Sequence, residues 1–199
     1  MAKVKLTKNE LKRQKDMLKR FQRYLPTLQL KKQQLQMVIR QVEAQVRRKS
    51  AERERLYNDI MGWVEVFGED LAIDELIKVE SLETDTGNIA GIDIPVFKRI
   101  VFREIPYDLF VYPPWVDAAV KRLKELLAFD AEIQVLREQQ RLLEHELRIT
   151  TQRVNLFEKV KIPETQENIR VIQIYLGDQQ TAAVVRGKIS KNKLKKVSQ

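Results

Sequence analysis

LKRQKDMLKRFQRYLPTLQLKKQQLQMVIRQVEAQVRRKSAERERLYNDIMGWVEVF, residues 11–67, is the stretch that decides the architecture. Alternate steps of three and four residues land on Leu11, Gln14, Leu18, Phe21, Leu25, Leu28, Lys32, Leu35, Ile39, Val42, Val46, Lys49, Arg53, Leu56, Ile60, Trp63 and Phe67. Thirteen of these 17 positions are apolar and the register never slips, which is the signature of a coiled-coil seam facing a partner helix. At ~1.5 Å per residue the stretch predicts a helix on the order of 85 Å long, too long to fold back inside a globule of this size. Thr7 or Asn9 is placed to cap its start, and Gly68 to end it. Pro26 lies inside the pattern, and because the seam stays in phase on both sides it predicts a kink and not a break. Lys32, Lys49 and Arg53 stand on the seam itself; they either snorkel outward or meet acids from a second helix or another subunit.

A second helix is predicted from Trp115, with Pro114 at or before its first position and Asp117 favouring its N-terminal dipole. Its seam runs through Leu126, Phe129, Ile133, Leu136, Gln140, Leu143, Leu147, Thr150, Val154 and Phe157. Past Pro163 the stripe resumes one residue out of phase, at Ile162, Ile169, Ile172, Leu176 and Ala183, a slip expected of a local proline distortion. Two helices of similar length flanking a short insert predict an antiparallel coiled-coil hairpin whose partner helices belong to one chain. Pro26 and Pro163 would then bend the pair together.

Between the helices, Asp70 caps a predicted short helix reaching Ile77. Lys78–Thr84 and Ile92–Val96 alternate as strands, Asp85–Asn88 supplies turn chemistry, and Pro95 argues for an edge position. Residues 96–105 are too mixed to assign, and Tyr107–Tyr112 forms an aromatic loop closed by Pro113-Pro114. The expected fold class is therefore all-α dominated, a long antiparallel two-helix coiled coil with a small central β-hairpin and short-helix insert. Its expected divisions are 1–68, 69–114 and 115–199.

Composition excludes several kinds of chemistry. With 43% hydrophobic and 33% charged residues and only six glycines, the chain suits long helices better than a compact α/β fold. There is no cysteine for a disulfide, a thiol nucleophile or a thiolate metal site, and His145 is the only histidine. His145 falls between seam positions and reads as a surface residue, as do Glu144 and Glu146. Thr86–Gly91 contains glycines but neither the lysine nor the following helix of a phosphate loop. Trp63 and Trp115 read as packing residues. No apolar run approaches a membrane span, and Met1–Lys5 lacks the apolar core of a signal peptide. No catalytic, cofactor-binding or metal-ligating constellation emerges.

Charge is divided along the chain. Residues 1–60 carry a net +11, residues 61–117 a net −8, and residues 118–199 a net +6. A hairpin brings both basic ends together: Lys3, Lys5, Lys8, Lys12 and Arg13 from the start, Arg186, Lys188 and Lys191 from the finish. Lysines at a helix N-terminus oppose the macrodipole by ~0.3–1 kcal/mol each at low salt. Such an end is either a solvated terminus or the match for an acidic or carbonyl-rich surface, nucleic acid or anionic lipid. Aromatic side chains suited to base stacking are nearly absent there, which counts against single-stranded nucleic acid.

Residues 151–163, TQRVNLFEKVKIP, resemble the C-terminal signature of the D subunit of the V/A-type ATPases, through Arg153-Val154-Asn155, Glu158 and Ile162-Pro163. Leu28–Leu35 is similar to that family's leucine-lysine block, and Gly91–Pro95 and Pro114–Ala119 follow in the same order. The C-terminal end departs from it: Leu176-Gly177-Asp178 and Ala182–Lys188 lack the family's aromatic bulk. The resemblance implies a central-stalk rotor shaft that transmits torque between a nucleotide-binding ring and a membrane ion-translocating rotor. It implies as partners the catalytic A and nucleotide-binding B subunits of the ring, the F subunit, and the C/d socket subunit on the membrane rotor. It further implies a non-catalytic chain without cofactor, nucleic acid or membrane span, peripheral on the cytoplasmic face. Lys3, Lys5, Lys8, Lys12, Arg13, Arg186, Lys188 and Lys191 are then candidates for the tip that meets the ring, and Leu18, Phe21, Leu25, Leu28, Leu35, Ile39, Val42, Leu143, Leu147, Val154 and Phe157 form the seam of the shaft.

Two other classes fit coiled-coil helices around a β-hairpin. A prefoldin-like chaperone would expose apolar helix tips to clients, whereas these tips are lysine- and arginine-rich. A basic coiled-coil adaptor for nucleic acid or lipid would bind with a steep salt dependence.

Overall fold

The structure, a computed structural model, describes residues 4–62, 76–103, 105–106 and 112–197, with side chains in the last helix up to Leu194. The order of elements is α1 (Lys8–Met61), β1 (Lys78–Ile89), β2 (Ile92–Arg103), α2 (Trp115–Leu156), a π-helical turn (Phe157–Lys161) and α3 (Ile162–Val197). The protein is thus mostly α-helical with a small β insert. Trp63, Phe67, the helix end expected at Gly68, the short helix expected from Asp70, and most of the aromatic loop before Tyr112 lie outside the described residues.

Helix α1 begins where Thr7 caps it: the Glu10 amide donates to Thr7 Oγ1 at 3.2 Å and the Leu11 amide to the Thr7 carbonyl at 3.0 Å. This threonine with Glu10 three residues on gives one half of a capping box. Helical structure continues through Pro26 without a break. Beside it the Thr27 hydroxyl donates to the Tyr24 carbonyl at 2.7 Å, adding a side-chain bond in the turn where proline has no N–H to offer. Helix α2 starts at Trp115, directly after Pro113-Pro114, with the Val116 amide bonded to the Pro113 carbonyl at 3.0 Å.

Two compact units divide the chain, one made of Met1–Lys31 with Thr150–Gln199 and the other of Lys32–Ile149. The unit of residues 32–149 holds the main core: Leu35, Ile39 and Val42 of α1 pack with Leu143 of α2 and Ile94 of β2. Leu35 and Leu143 are fully buried. At ~25 cal/mol per Å² each such leucine contributes roughly 2–3 kcal/mol. In this unit the helices run antiparallel, since Lys49 pairs with Glu132 while Arg53, further along α1, pairs with Asp130, earlier in α2. Buried positions on α2 form two lines. Ile133 and Leu143 belong to the expected seam; Val135, Gln139 and half-buried Leu142, at spacings of four and three, form the other. The hairpin covers this second line, for the Gln139 side chain donates to the Pro95 carbonyl and Leu142 packs on the cluster that contains Ile94. A smaller cluster of Leu76, Val116 and Val120, flanked by Ile77, Tyr112 and Trp115, secures the start of α2.

The hairpin turns later than its composition suggests. Asp85–Asn88 lies inside β1, and the reversal is at Ala90-Gly91, with φ of 53° and 79°. Positive φ at both central residues is the two-residue turn that matches the natural twist of a strand pair. Asn88 sets it from the strand side: its Oδ1 accepts from the Gly91 amide at 3.1 Å and its Nδ2 donates to Asp93 Oδ1 at 2.7 Å. Gly87 serves packing instead, because a Cβ there would stand 2.9 Å from Val96 Cγ2. The unassigned residues after Val96 continue β2 to Arg103, paired antiparallel with β1 across two irregularities, between Val79 and Ser81 and between Glu83 and Thr84. The second leaves Lys98 of β2 unpaired and explains the lost alternation there, since an extra residue breaks the period of two. Among the described residues the sheet has two strands, so each is an edge and Pro95, opposite Thr86, removes no hydrogen bond to a third described strand. Arg99 donates twice to Glu83 at 2.9 Å, holding that carboxyl below its ordinary range. The pair's small contribution is present above the unfolded carboxylate pKa and is lost as pH falls through the lowered value.

The unit of residues 1–31 and 150–199 is built on Val154, Thr165 and Ile172, all buried, with Phe21 of α1 against Phe157 at 5.1 Å between ring centroids. Leu18, Leu25 and Leu28 are half-buried along α1, and Gln14 is buried, donating to Glu10 Oε1 at 2.8 Å. The phase slip read from the sequence has a physical counterpart here. Residues 157–161 form a π-turn in which the Ile162 amide reaches back five residues to the Phe157 carbonyl. A π-turn takes up one more residue than an α-turn, so the stripe beyond it returns one position late.

Candidate functional site

With no catalytic cluster in the sequence, the surfaces that could act are the seam, the polar residues set into it, the 151–163 segment and the basic ends. On the seam, Leu35, Ile39, Val42, Leu143 and Val154 are buried, while Leu18, Phe21, Leu25, Leu28, Leu147 and Phe157 are half-buried. Gln140, a seam position by spacing, is half-buried; its neighbour Gln139 is the buried one because the hairpin carbonyl of Pro95 claims it. A polar residue beside an apolar stripe was its only sequence signal.

The cations on the seam meet acids of the second helix. Lys49 Nζ is 3.0 Å from Glu132 Oε2 and 5.4 Å from the centre of the Phe129 ring. Arg53 Nε donates to Asp130 Oδ1 at 3.1 Å, with its guanidinium carbon 5.0 Å from the Tyr57 ring centre. The hydrogen bond to Asp130 raises the Arg53 pKa above its ordinary value, so this cation stays charged at any pH the protein meets. Lys32 is half-buried. Both pairs are partly solvated, so each is worth ~0.2–1 kcal/mol, and their larger effect is on register, since a one-turn slide would take both cations away from their acids and set them against mostly apolar residues of α2. Arg53→Asp is expected to cost about 1 kcal/mol in urea unfolding, and Asp130→Arg added to it to recover at least half. An additive double variant would show that the pair does not couple.

Within the 151–163 segment only Val154 is buried. Arg153, Asn155, Glu158 and Pro163 are exposed and Ile162 is half-buried. The sequence could not distinguish residues that hold the helix pair from residues that face outward, and here a motif written as one run contains both. Two residues past the segment, the buried Thr165, its hydroxyl bonded to the Lys161 carbonyl at 2.6 Å, is a residue that spacing alone did not single out.

At the ends, Lys5, Lys8, Lys12 and Arg13 are exposed, as are Arg186, Lys188 and Lys191; Lys3 lies outside the described residues. Lys8, Lys12, Lys15 and Lys19 border a groove of about 500 Å³ on α1 with Leu11 and Leu18. In α3 every described side chain from Gly177 to Leu194 is exposed, including Val184, Val185, Ile189 and Leu194. Among the described residues no helix is long and apolar enough to cross a membrane.

An antiparallel helix pair in one unit, pinned by ion pairs, and a long basic, exposed helix in the other define the class of helical coiled-coil proteins. The family of ATP synthase D subunits matches residues 10–192, and the chain belongs to that family. It is 51% identical over 194 residues to the V-type ATP synthase D subunit of Borreliella burgdorferi, covering 98% of this chain and 96% of that one. The corresponding protein of Chlamydia felis is 38% identical over 144 residues, 71% of this chain and 69% of that protein, and that of Chlamydia caviae 37% identical over 147 residues, 72% and 69%. The chain is thus a component of a V-type ATP synthase.

Proposed function

We propose that this chain is the central-stalk rotor shaft of its ATP synthase, transmitting torque between the nucleotide-binding ring and the membrane ion-translocating rotor. The observation that carries it is family membership spanning nearly the whole helix–hairpin–helix, and not one motif within it. Buried Leu35, Ile39, Val42 and Leu143 in the 32–149 unit, and buried Val154 in the other, supply stiffness within each unit, and the ion pairs of Lys49 and Arg53 resist sliding. The basic end, with Lys8, Lys12, Arg13, Arg186, Lys188 and Lys191, meets the alternating catalytic A and nucleotide-binding B subunits; the F subunit binds at the side, and the socket subunit joins the other end to the membrane rotor. The nucleotide chemistry belongs to the ring, and this chain works on the cytoplasmic face as a non-catalytic element. The readings as a chaperone or as a nucleic-acid or lipid adaptor are not favoured by this kinship.

Affinity purification of the tagged chain from native membranes is the direct test. Stoichiometric recovery of the A, B, F and socket subunits is expected, in a complex whose ATP hydrolysis depends on the A and B subunits. Recovery of the chain without ring subunits would sink the proposal.

A further inference from the structure

We infer that the π-turn at Phe157–Lys161 is a phase corrector, a one-residue insertion that selects which of two competing side-chain lines of α3 faces α1. The upstream seam runs through Thr150, Val154 and Phe157. Continued without interruption, its spacing would bring Lys161, Glu164, Asn168 and Val171 inward, three of them polar or charged. The line found inward is Ile162, Thr165, Ile169 and Ile172, one residue later, with Thr165 and Ile172 buried and the other two half-buried. One residue in an α-helix is a rotation of ~100°, so the two lines cannot both face α1. The extra residue of the π-turn absorbs that rotation.

The outward line is not simply polar. Beyond Val171 it passes through Tyr175, Val185 and Ile189, which are 39–51% exposed, Val171 itself being 43% exposed. The π-turn therefore also sets the azimuth at which the uncovered end of α3 presents these side chains. Pro163 fits the same device: in a continuous α-helix its ring would press on the carbonyl four residues back, and the wider turn just before it relieves that contact. The Thr165 hydroxyl, accepted by the Lys161 carbonyl, satisfies a backbone group at the end of the widened turn. Four features of the segment, the seam slip, the wide turn, the proline and the threonine back-bond, have one cause. This inference does not depend on the rotor reading.

Two one-residue deletions in the full-length chain test it, each made with Pro163→Ala so that no proline is forced into an uninterrupted helix. Deleting Lys159 removes the surplus residue; a regular α-helix then carries both seam segments in one phase. Deleting Glu167 removes a residue beyond the turn and swings Ile169 and Ile172 out of line. The Lys159 deletion is expected to keep its helical circular-dichroism signal and to melt within about 5 °C of Pro163→Ala alone, and the Glu167 deletion to melt at least about 10 °C lower or not to fold. A loss from deleting Lys159 that reaches half the loss from deleting Glu167 overturns the proposal, as does a Glu167 deletion that melts like its parent.

Discussion

Replacing Leu143 by Asp is expected to abolish cooperative folding of the 32–149 unit. Leu143 has no exposure and packs with Leu35, Ile39, Val42 and Ile94, so an aspartate there meets apolar groups from α1 and from the hairpin at once. The lost leucine burial alone removes roughly 2–3 kcal/mol. An unpaired carboxylate in such a site adds several kcal/mol more, or takes up a proton to avoid it. Together these reach about 5 kcal/mol, comparable to the whole stability of a small domain. Thermal melting followed by circular dichroism should show a broad, low transition at neutral pH, partly restored on acidification because the protonated side chain costs less to bury. His145→Asp, two residues away on an exposed position, should melt like the parent. A parent-like melt for Leu143→Asp would mean that α1 and the hairpin do not pack on this face.

The contrast between those neighbouring positions is also what made the fold legible in sequence. A seam with spacing of three and four leaves few alternatives for Leu143 and none for Leu35, so helix existence, the antiparallel pairing and most of the core follow from periodicity. The hairpin was harder for a reason its residues make plain. Asp85–Asn88 contains Gly87, but that glycine is there because Val96 crosses it, not because the chain turns. The true turn uses Ala90, a residue whose type gives no warning of positive φ, and the extra residue Lys98 shifts the alternation of β2 by one. Lys49 and Arg53 were visible as anomalies, yet only the fold decides between solvent and the acids Glu132 and Asp130. The phase slip near Pro163 was visible too. Its cause was not, because a proline kink and a π-turn both displace a stripe, and they differ in whether a whole residue is inserted.

Truncating Arg186–Gln199 should leave the chain folded and assembled while lowering the coupling of ATP turnover to ion transport several-fold. The stability half of this expectation rests on burial: every described side chain from Gly177 to Leu194 is exposed, so the cut removes no buried side chain among them. The functional half rests on charge and length together. Residues 186–196 hold six basic and no acidic residues, which a helix C-terminus favours through its dipole. An end that gathers like charge along one helix favours an acidic or carbonyl-lined partner. Replacing Arg186, Lys188, Lys191 and Lys193 by Gln separates the two contributions, since it keeps the helix and removes its charge. If charge seats the end, the Gln variant should lose coupling nearly as far as the truncation, and raising salt should weaken the parent, because exposed charges are screened within about 8–10 Å at physiological ionic strength. If the apolar side chains Val185 and Ile189 seat it, the Gln variant should couple like the parent and only the truncation should fail. Proton- or sodium-pumping assays on vesicles, normalised to ATP hydrolysis, read the ratio directly. Unchanged coupling in the truncated complex would remove the C-terminal end of α3 from the torque path and leave the groove of Lys8, Lys12 and Lys15 on α1 as the surface to examine.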